Sequence, residues 1–202
     1  MAPPTTERPQ RAELVLIRHA PIAEPGRLCG RTDLPARIEP EAIATLAPEL
    51  RQICARVVSP ALRCRQTASA IWPNGAPPAQ DERLWEQAFG MHDGLHYGEL
   101  PDLGVLSDAE LAAHRAPGGE SFDDLCARVT PALTAYALLA LTQNAPVALV
   151  VHAGVIRAAL ATALGIGPAA LRFEIDPLSV TRLRVLDRTN WSVSCVNRTP
   201  AP

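Results

Sequence analysis

Aromatic residues make up only 4% of the 202-residue chain, so a core must be built from Leu, Val, Ile and Ala. An excess of one charge is also missing. The formal net charge is −2, which provides no electrostatic coat for nucleic acid and no basic face for an anionic membrane. Five cysteines, Cys29, Cys54, Cys64, Cys126 and Cys195, stand at wide, irregular spacings. They make neither a disulfide framework nor a zinc pattern. They read as small apolar residues of a reducing compartment. No apolar run approaches the roughly 18 residues of a membrane span, because His152 and Arg157 break the longest candidate. The opening "MAPPTTERPQR" has no apolar stretch behind its charges. No secretory signal is therefore expected, and the chain reads as a cytoplasmic protein.

What is present is an alternation of short apolar runs with helical spacing. Apolar residues make up 48% of the chain, enough for one domain with a buried core. We expect a flexible Pro- and Thr-rich tail over residues 1–11 and a single domain over residues 12–202. Leu14 to Ile17, Ala55 to Val58 and Val147 to Val151 read as strands covered on both faces. Helices are expected from Glu39 to Cys54, where Pro48 should kink or split the helix, and from Ser59-Pro60 to Trp72, with Ser59 as N-cap. Two more follow, from Ser121 to about Leu141, interrupted by Pro131, and from Gly154 to Leu164. Residues 81–119 have weak periodicity, as functional or mobile segments do. Val180 to Leu186 and Trp191 to Val196 read as a hairpin. Strands alternating with helices give an α/β fold, a three-layer α/β/α sandwich with a mostly parallel central sheet.

Two of those strands end in histidine. "AELVLIRHAPI" runs from an apolar strand into Arg18-His19, and "APVALVVHAGVIRAAL" ends its strand at His152. In open α/β sheets ligands bind outside the carboxyl ends of the strands. A third strand end, in "RVVSPALRCRQTASAIW", puts Arg63 and Arg65 early in a helix. Arg65 should point away, since residues two apart do not share a helix face. Converging arginines and histidines without paired acids ask for an anion, and guanidinium forks suit phosphate oxygens. Helix N-termini favour the same guest. An imidazole there can act as a nucleophile. A lone strand-end histidine is more often structural, but the company of Arg18, His19 and Arg63 reverses those odds for His152.

Four blocks now carry a resemblance. "LIRHA", "VVSPALRCRQTA", "LWEQAFGMHDG" and "LVVHAGVIRAAL" occur in this order across residues 14–165. Together they resemble the histidine phosphatase superfamily, with its phosphoglycerate mutase-like fold. The resemblance implies that His19 is the nucleophile that becomes phosphohistidine. It implies that Arg18, Arg63 and His152 clamp the phosphoryl oxygens, and that Glu86 is the general acid and then the base. Phosphoryl transfer depends mainly on positioning and electrostatics, so arginines can supply the charge, and neither metal nor cofactor is expected. The partner is a small phosphorylated substrate, and because many relatives dimerise a homodimer is left open.

The short chain and "RHAPI…GRLCGRTDLP" resemble the α-ribazole phosphatase branch, which acts late in cobalamin assembly. That favours a phosphatase over two alternatives, a mutase-type phosphotransferase and an inactive relative that binds a phosphorylated ligand. Arg27, Cys29, Gly30 and Asp93 are candidate substrate contacts. Asp93 and Glu82 are rivals to Glu86 as the acid, and His92 and His96 could reach the leaving group. Two departures from the family pattern stand beside the histidines. Ala20 and Ala153 replace the glycines usual after each, and an added methyl is tolerable unless the position needs positive φ.

Overall fold

The computed structural model describes residues 11–199, and all but the last residue of the expected N-terminal tail lies outside them. Six strands form one sheet: β1 (Glu13–Arg18), β2 (Ala55–Val58), β3 (Ala79–Gln80), β4 (Pro146–Val151), β5 (Val180–Val185) and β6 (Trp191–Arg198). Their spatial order is β3-β2-β4-β1-β5-β6. β3, β2, β4 and β1 are mutually parallel, while β5 and β6 add an antiparallel edge.

Alternation along β1 shows why apolar residues fill both faces. Leu14 and Leu16 point into one layer, and Val15 and Ile17 into the other. Helices α1 (Pro40–Leu50) and α2 (Leu62–Ile71) cover the second face through Ile43, Leu46, Cys64 and Ile71. Helices α4 (Phe122–Gln143) and α5 (Ala153–Leu164) cover the first through Leu125, Val129, Leu133, Ile156 and Leu160. The short α3 (Asp108–Ala113) contacts α4. This is the expected three-layer sandwich.

The expected proline breaks do not occur. α1 runs through Pro48 and ends at Leu50, and α4 runs through Pro131 for 22 residues. Each proline removes one helical hydrogen bond. The helix persists because Leu46, Ala47 and Leu50 around Pro48, and Val129, Ala132 and Leu133 around Pro131, are buried against the sheet. By length and composition α4 could cross a membrane, which corrects the sequence expectation that no run comes close.

α2 starts later than expected. Ser59 does not cap it, because its hydroxyl is engaged with His152 Nε2 at 2.8 Å. The backbone N–H of Leu62 instead donates to Asp33 Oδ1 at 2.6 Å. Residues 81–119 hold three single-turn 3-10 segments and α3. α4 opens with a capping box in which Ser121 and Asp124 satisfy each other's backbone N–H groups.

Candidate active site

Strand register brings the chemistry together. Arg18 pairs with Val151 across the β1–β4 ladder. The residues that follow, His19 and His152, therefore leave adjacent strand ends, and their ring centroids are 5.2 Å apart. β2 ends beside β4, and the Ser59 N–H donates to the Val150 carbonyl at 3.1 Å. That ending places the first turn of α2, with Arg63, against both histidines.

Arg63 is fully buried. Its Nε donates to His19 Nε2 at 3.3 Å, and its Nη2 donates to His152 Nδ1 at 3.2 Å. Nη1 donates to the Thr32 carbonyl, and Nη2 is shared with the carbonyls of Cys29 and Gly30. Because a guanidinium only donates, both of those ring nitrogens accept. His19 then carries its proton on Nδ1 and donates it to the Ala20 carbonyl at 2.7 Å. His152 carries its proton on Nε2 and donates to the Ser59 hydroxyl. Both rings are neutral. Burial, Arg63 and Arg18 depress the His19 pKa to about 3, against a weaker opposing pull from the Ala20 carbonyl. Burial, then Arg63, His19 and Arg18, depress that of His152.

The two rings are not equally accessible. His19, Arg18, Arg63 and Glu86 line a cavity of about 400 Å³ at the carboxyl end of the sheet. His152 does not line it and is fully buried, behind His19 and beside Trp85, whose ring lies nearly parallel to it at 6.5 Å. Arg18 donates to the Ile175 carbonyl, and its Nε has no protein partner among the described residues.

The Glu86 carboxyl group is buried. One oxygen accepts the N–H of Gly154 in the first turn of α5 at 3.1 Å, and the other accepts the Gln87 N–H at 3.0 Å. A side chain at 154 would collide with that carboxylate and with Leu125. Gly154 is thus a glycine because Glu86 lies against it. Ala153 and Ala20 carry no such conflict, since positive φ among non-glycine residues occurs only at Asn144, Leu178 and Asn197 within the described chain.

The remaining candidates separate. Arg27 and Cys29 line the cavity. Arg27 is paired with Glu24 at 2.8 Å, and burial raises the pKa of the Cys29 thiol. Gly30 and Asp93 do not line it. The Asp93 carboxylate accepts backbone N–H groups of Gly30, Arg31, Thr32 and Phe89. Burial alone would raise its pKa, but a hydrogen bond from the Thr32 side chain, followed by the backbone N–H groups of Arg31, Thr32 and Phe89, holds it below the usual carboxylate value. It staples two loops together. Gly30 is needed where those loops meet, because a Cβ there would strike the Gln87 carbonyl.

Tyr97, Arg37 and Arg157 also line the cavity and were not singled out from the sequence. Arg157 was accessible to pattern reasoning. It lies four residues after Ala153, on the same face of α5. Tyr97 opens a single 3-10 turn and Arg37 sits in a loop, and no periodicity reveals the path of either.

A mostly parallel α/β sandwich that places a neutral histidine and an arginine fork at its strand ends, with a buried carboxyl group facing the same cavity, defines an anion-binding class of protein. The family profile described as histidine phosphatase superfamily (branch 1) matches residues 14–199, and the chain belongs to that superfamily. A structure from Thermus thermophilus is 30% identical, covers 92% of this chain and 99% of its own, and superposes with a TM-score of 0.69. Mycobacterial glucosyl-3-phosphoglycerate phosphatase is similar in fold at 24% identity, with coverage of 93% and 99% and a TM-score of 0.79. So is a phosphoserine phosphatase variant from Entamoeba histolytica bound to phosphoserine, at 18% identity, 92% and 96% coverage and a TM-score of 0.75. No curated protein matches significantly.

Proposed function

We propose that the protein is a phosphomonoesterase that works through a phosphohistidine on His19. The observation that carries this reading is the neutral His19 ring, which lines the cavity with Nδ1–H fixed on the Ala20 carbonyl and the lone pair therefore on Nε2, where Arg63 Nε contacts it. In the first step His19 Nε2 forms a bond to phosphorus as the P–O bond to the leaving group breaks. Glu86 gives its proton to that oxygen. In the second step Glu86 takes a proton from water, the water oxygen bonds to phosphorus, and the N–P bond breaks. Arg18 and Arg63 hold the equatorial oxygens, where charge accumulates. His152 supports them from behind by fixing the Arg63 fork.

The finer reading is α-ribazole 5′-phosphate as substrate, and it rests on the "RHAPI…GRLCGRTDLP" resemblance. It is tested by phosphate release from a panel comprising α-ribazole 5′-phosphate, 3-phosphoglycerate, sugar phosphates and an aryl phosphate. Each is run with chelator present, for wild type and His19→Ala. The reading expects release that survives chelator and vanishes in the variant, with the ribazole ester hydrolysed fastest. Isomerised product that keeps its phosphate would replace it with a mutase, and an active His19→Ala protein would overturn it.

A further inference from the structure

The loop that carries Glu86 has no regular secondary structure between Trp85 and Phe89, so its position must be fixed by something outside itself. The side chain that reaches it belongs to α4. Arg128 Nη1 donates to the carbonyls of Arg83 and Trp85 at 2.8 and 3.0 Å, and Nη2 donates to the carbonyl of Glu86 at 3.1 Å. One guanidinium therefore takes three backbone acceptors from four consecutive residues. The remaining donors are aimed by Glu120, whose two oxygens receive Nε and Nη2 at 2.7 and 2.8 Å.

Glu120 closes the frame from the other end. Its carboxylate also accepts the Ala88 N–H at 2.9 Å, its N–H donates to the Ala88 carbonyl, and its carbonyl accepts Gln87 Nε2. Residues 83–88 are thereby held at both ends, with Glu86 between them. Arg128 does not line the cavity.

We propose that Arg128, oriented by Glu120, is the positioning residue for Glu86 as the proton donor to the leaving group. This rests on the role given to Glu86 above. A displacement of about 1 Å of a catalytic group costs on the order of 10²-fold in rate, and three backbone acceptors released together allow at least such a drift. An exposed ion pair would matter little, but this one is half-buried and spends its donors on a catalytic loop.

The test separates positioning from general loss of structure by the demand for a proton. An alkyl leaving group needs one, whereas p-nitrophenolate leaves without. kcat/KM, which reports the phosphorylation step, is measured for glycerol phosphate and p-nitrophenyl phosphate with wild type, Arg128→Ala, Arg128→Lys, Glu120→Gln and Glu86→Gln. Arg128→Ala is expected to lose about 10²-fold on the alkyl ester and far less on the aryl ester, with Arg128→Lys retaining part of the activity because an ammonium cannot span the fork. Equal loss on both esters, or none on either, overturns the proposal. A contrast present in Glu86→Gln but absent in Arg128→Ala overturns it alone. A Glu86→Gln protein with no contrast removes the acid role itself, and the proposal with it. If Arg128→Ala does not fold, Arg128→Lys and Glu120→Gln give the same readout.

Discussion

Arg63 Nε stands 3.3 Å from Nε2 of His19, so a permanent cation faces the lone pair proposed to attack phosphorus. Burial is the larger force that keeps the ring unprotonated, and the contact acts in the same direction. The His19 ring in the free protein should therefore titrate near pH 3 rather than near 6.5. The sign for stability follows. Between about pH 6.5 and 3 the unfolded chain binds the proton and the folded chain does not. Acid thus destabilises the fold through this group, and its contribution is fully present only above about 6.5. NMR titration of the His19 ring checks this, and a ring that titrates above pH 5 contradicts it.

Replacing Arg63 should damage folding as well as binding. Arg63→Ala leaves the Thr32, Cys29 and Gly30 carbonyls short of a donor, and a lost buried partner costs about 1 to 3 kcal/mol. Arg63→Lys keeps the charge but loses the fork. It should fold better than Arg63→Ala yet bind vanadate much more weakly than wild type. Thermal unfolding and vanadate inhibition measure the two effects separately.

The glycine pattern of the site makes opposed predictions for neighbouring residues. Ala153→Gly and Ala20→Gly should leave kcat near wild type, because neither position needs positive φ, and each should cost up to about 1 kcal/mol in stability from added backbone freedom. Gly154→Ala drives a methyl into the Glu86 carboxylate and Leu125. It should lower kcat/KM for alkyl phosphates by about 10²-fold. Steady-state kinetics of the three variants decide between this account and one in which the alanines impair the enzyme.

The strand ends were legible in the sequence because period and termination are local signals. An apolar run that stops at Arg18-His19 or His152 announces both the strand and its crevice. Arg65, predicted to face outward, is exposed while Arg63 is buried. What depends on contact between distant segments was not legible. Pro48 and Pro131 looked like breaks, since their cost is local and the packing that offsets it is not. Ser59 looked like a cap, since its partner His152 is 93 residues away. The same blindness made Asp93 a plausible acid. Its four amide partners come from two loops that only the fold brings together.

That reassignment of Asp93 makes the last prediction. A catalytic acid and a loop staple can both lower activity when removed, but they do so differently. Glu86→Gln removes the proton donor, so its loss should be greater for an alkyl than for an aryl phosphate, on the order of the 10²-fold or more that positioned acid catalysis provides. Asp93→Ala releases the N–H groups of Gly30, Arg31, Thr32 and Phe89 and loosens the loop that supplies three carbonyls to Arg63. Its loss should appear in KM and in thermal stability, at about 1 to 3 kcal/mol, and be equal for both esters. Because hydrogen bonds hold the Asp93 pKa below its unfolded value, the staple is strongest above the unfolded carboxylate pKa and fails as pH falls through the folded one. The Asp93→Ala protein should accordingly lose less stability on acidification than wild type. An alkyl-selective loss in Asp93→Ala would return it to the role of acid.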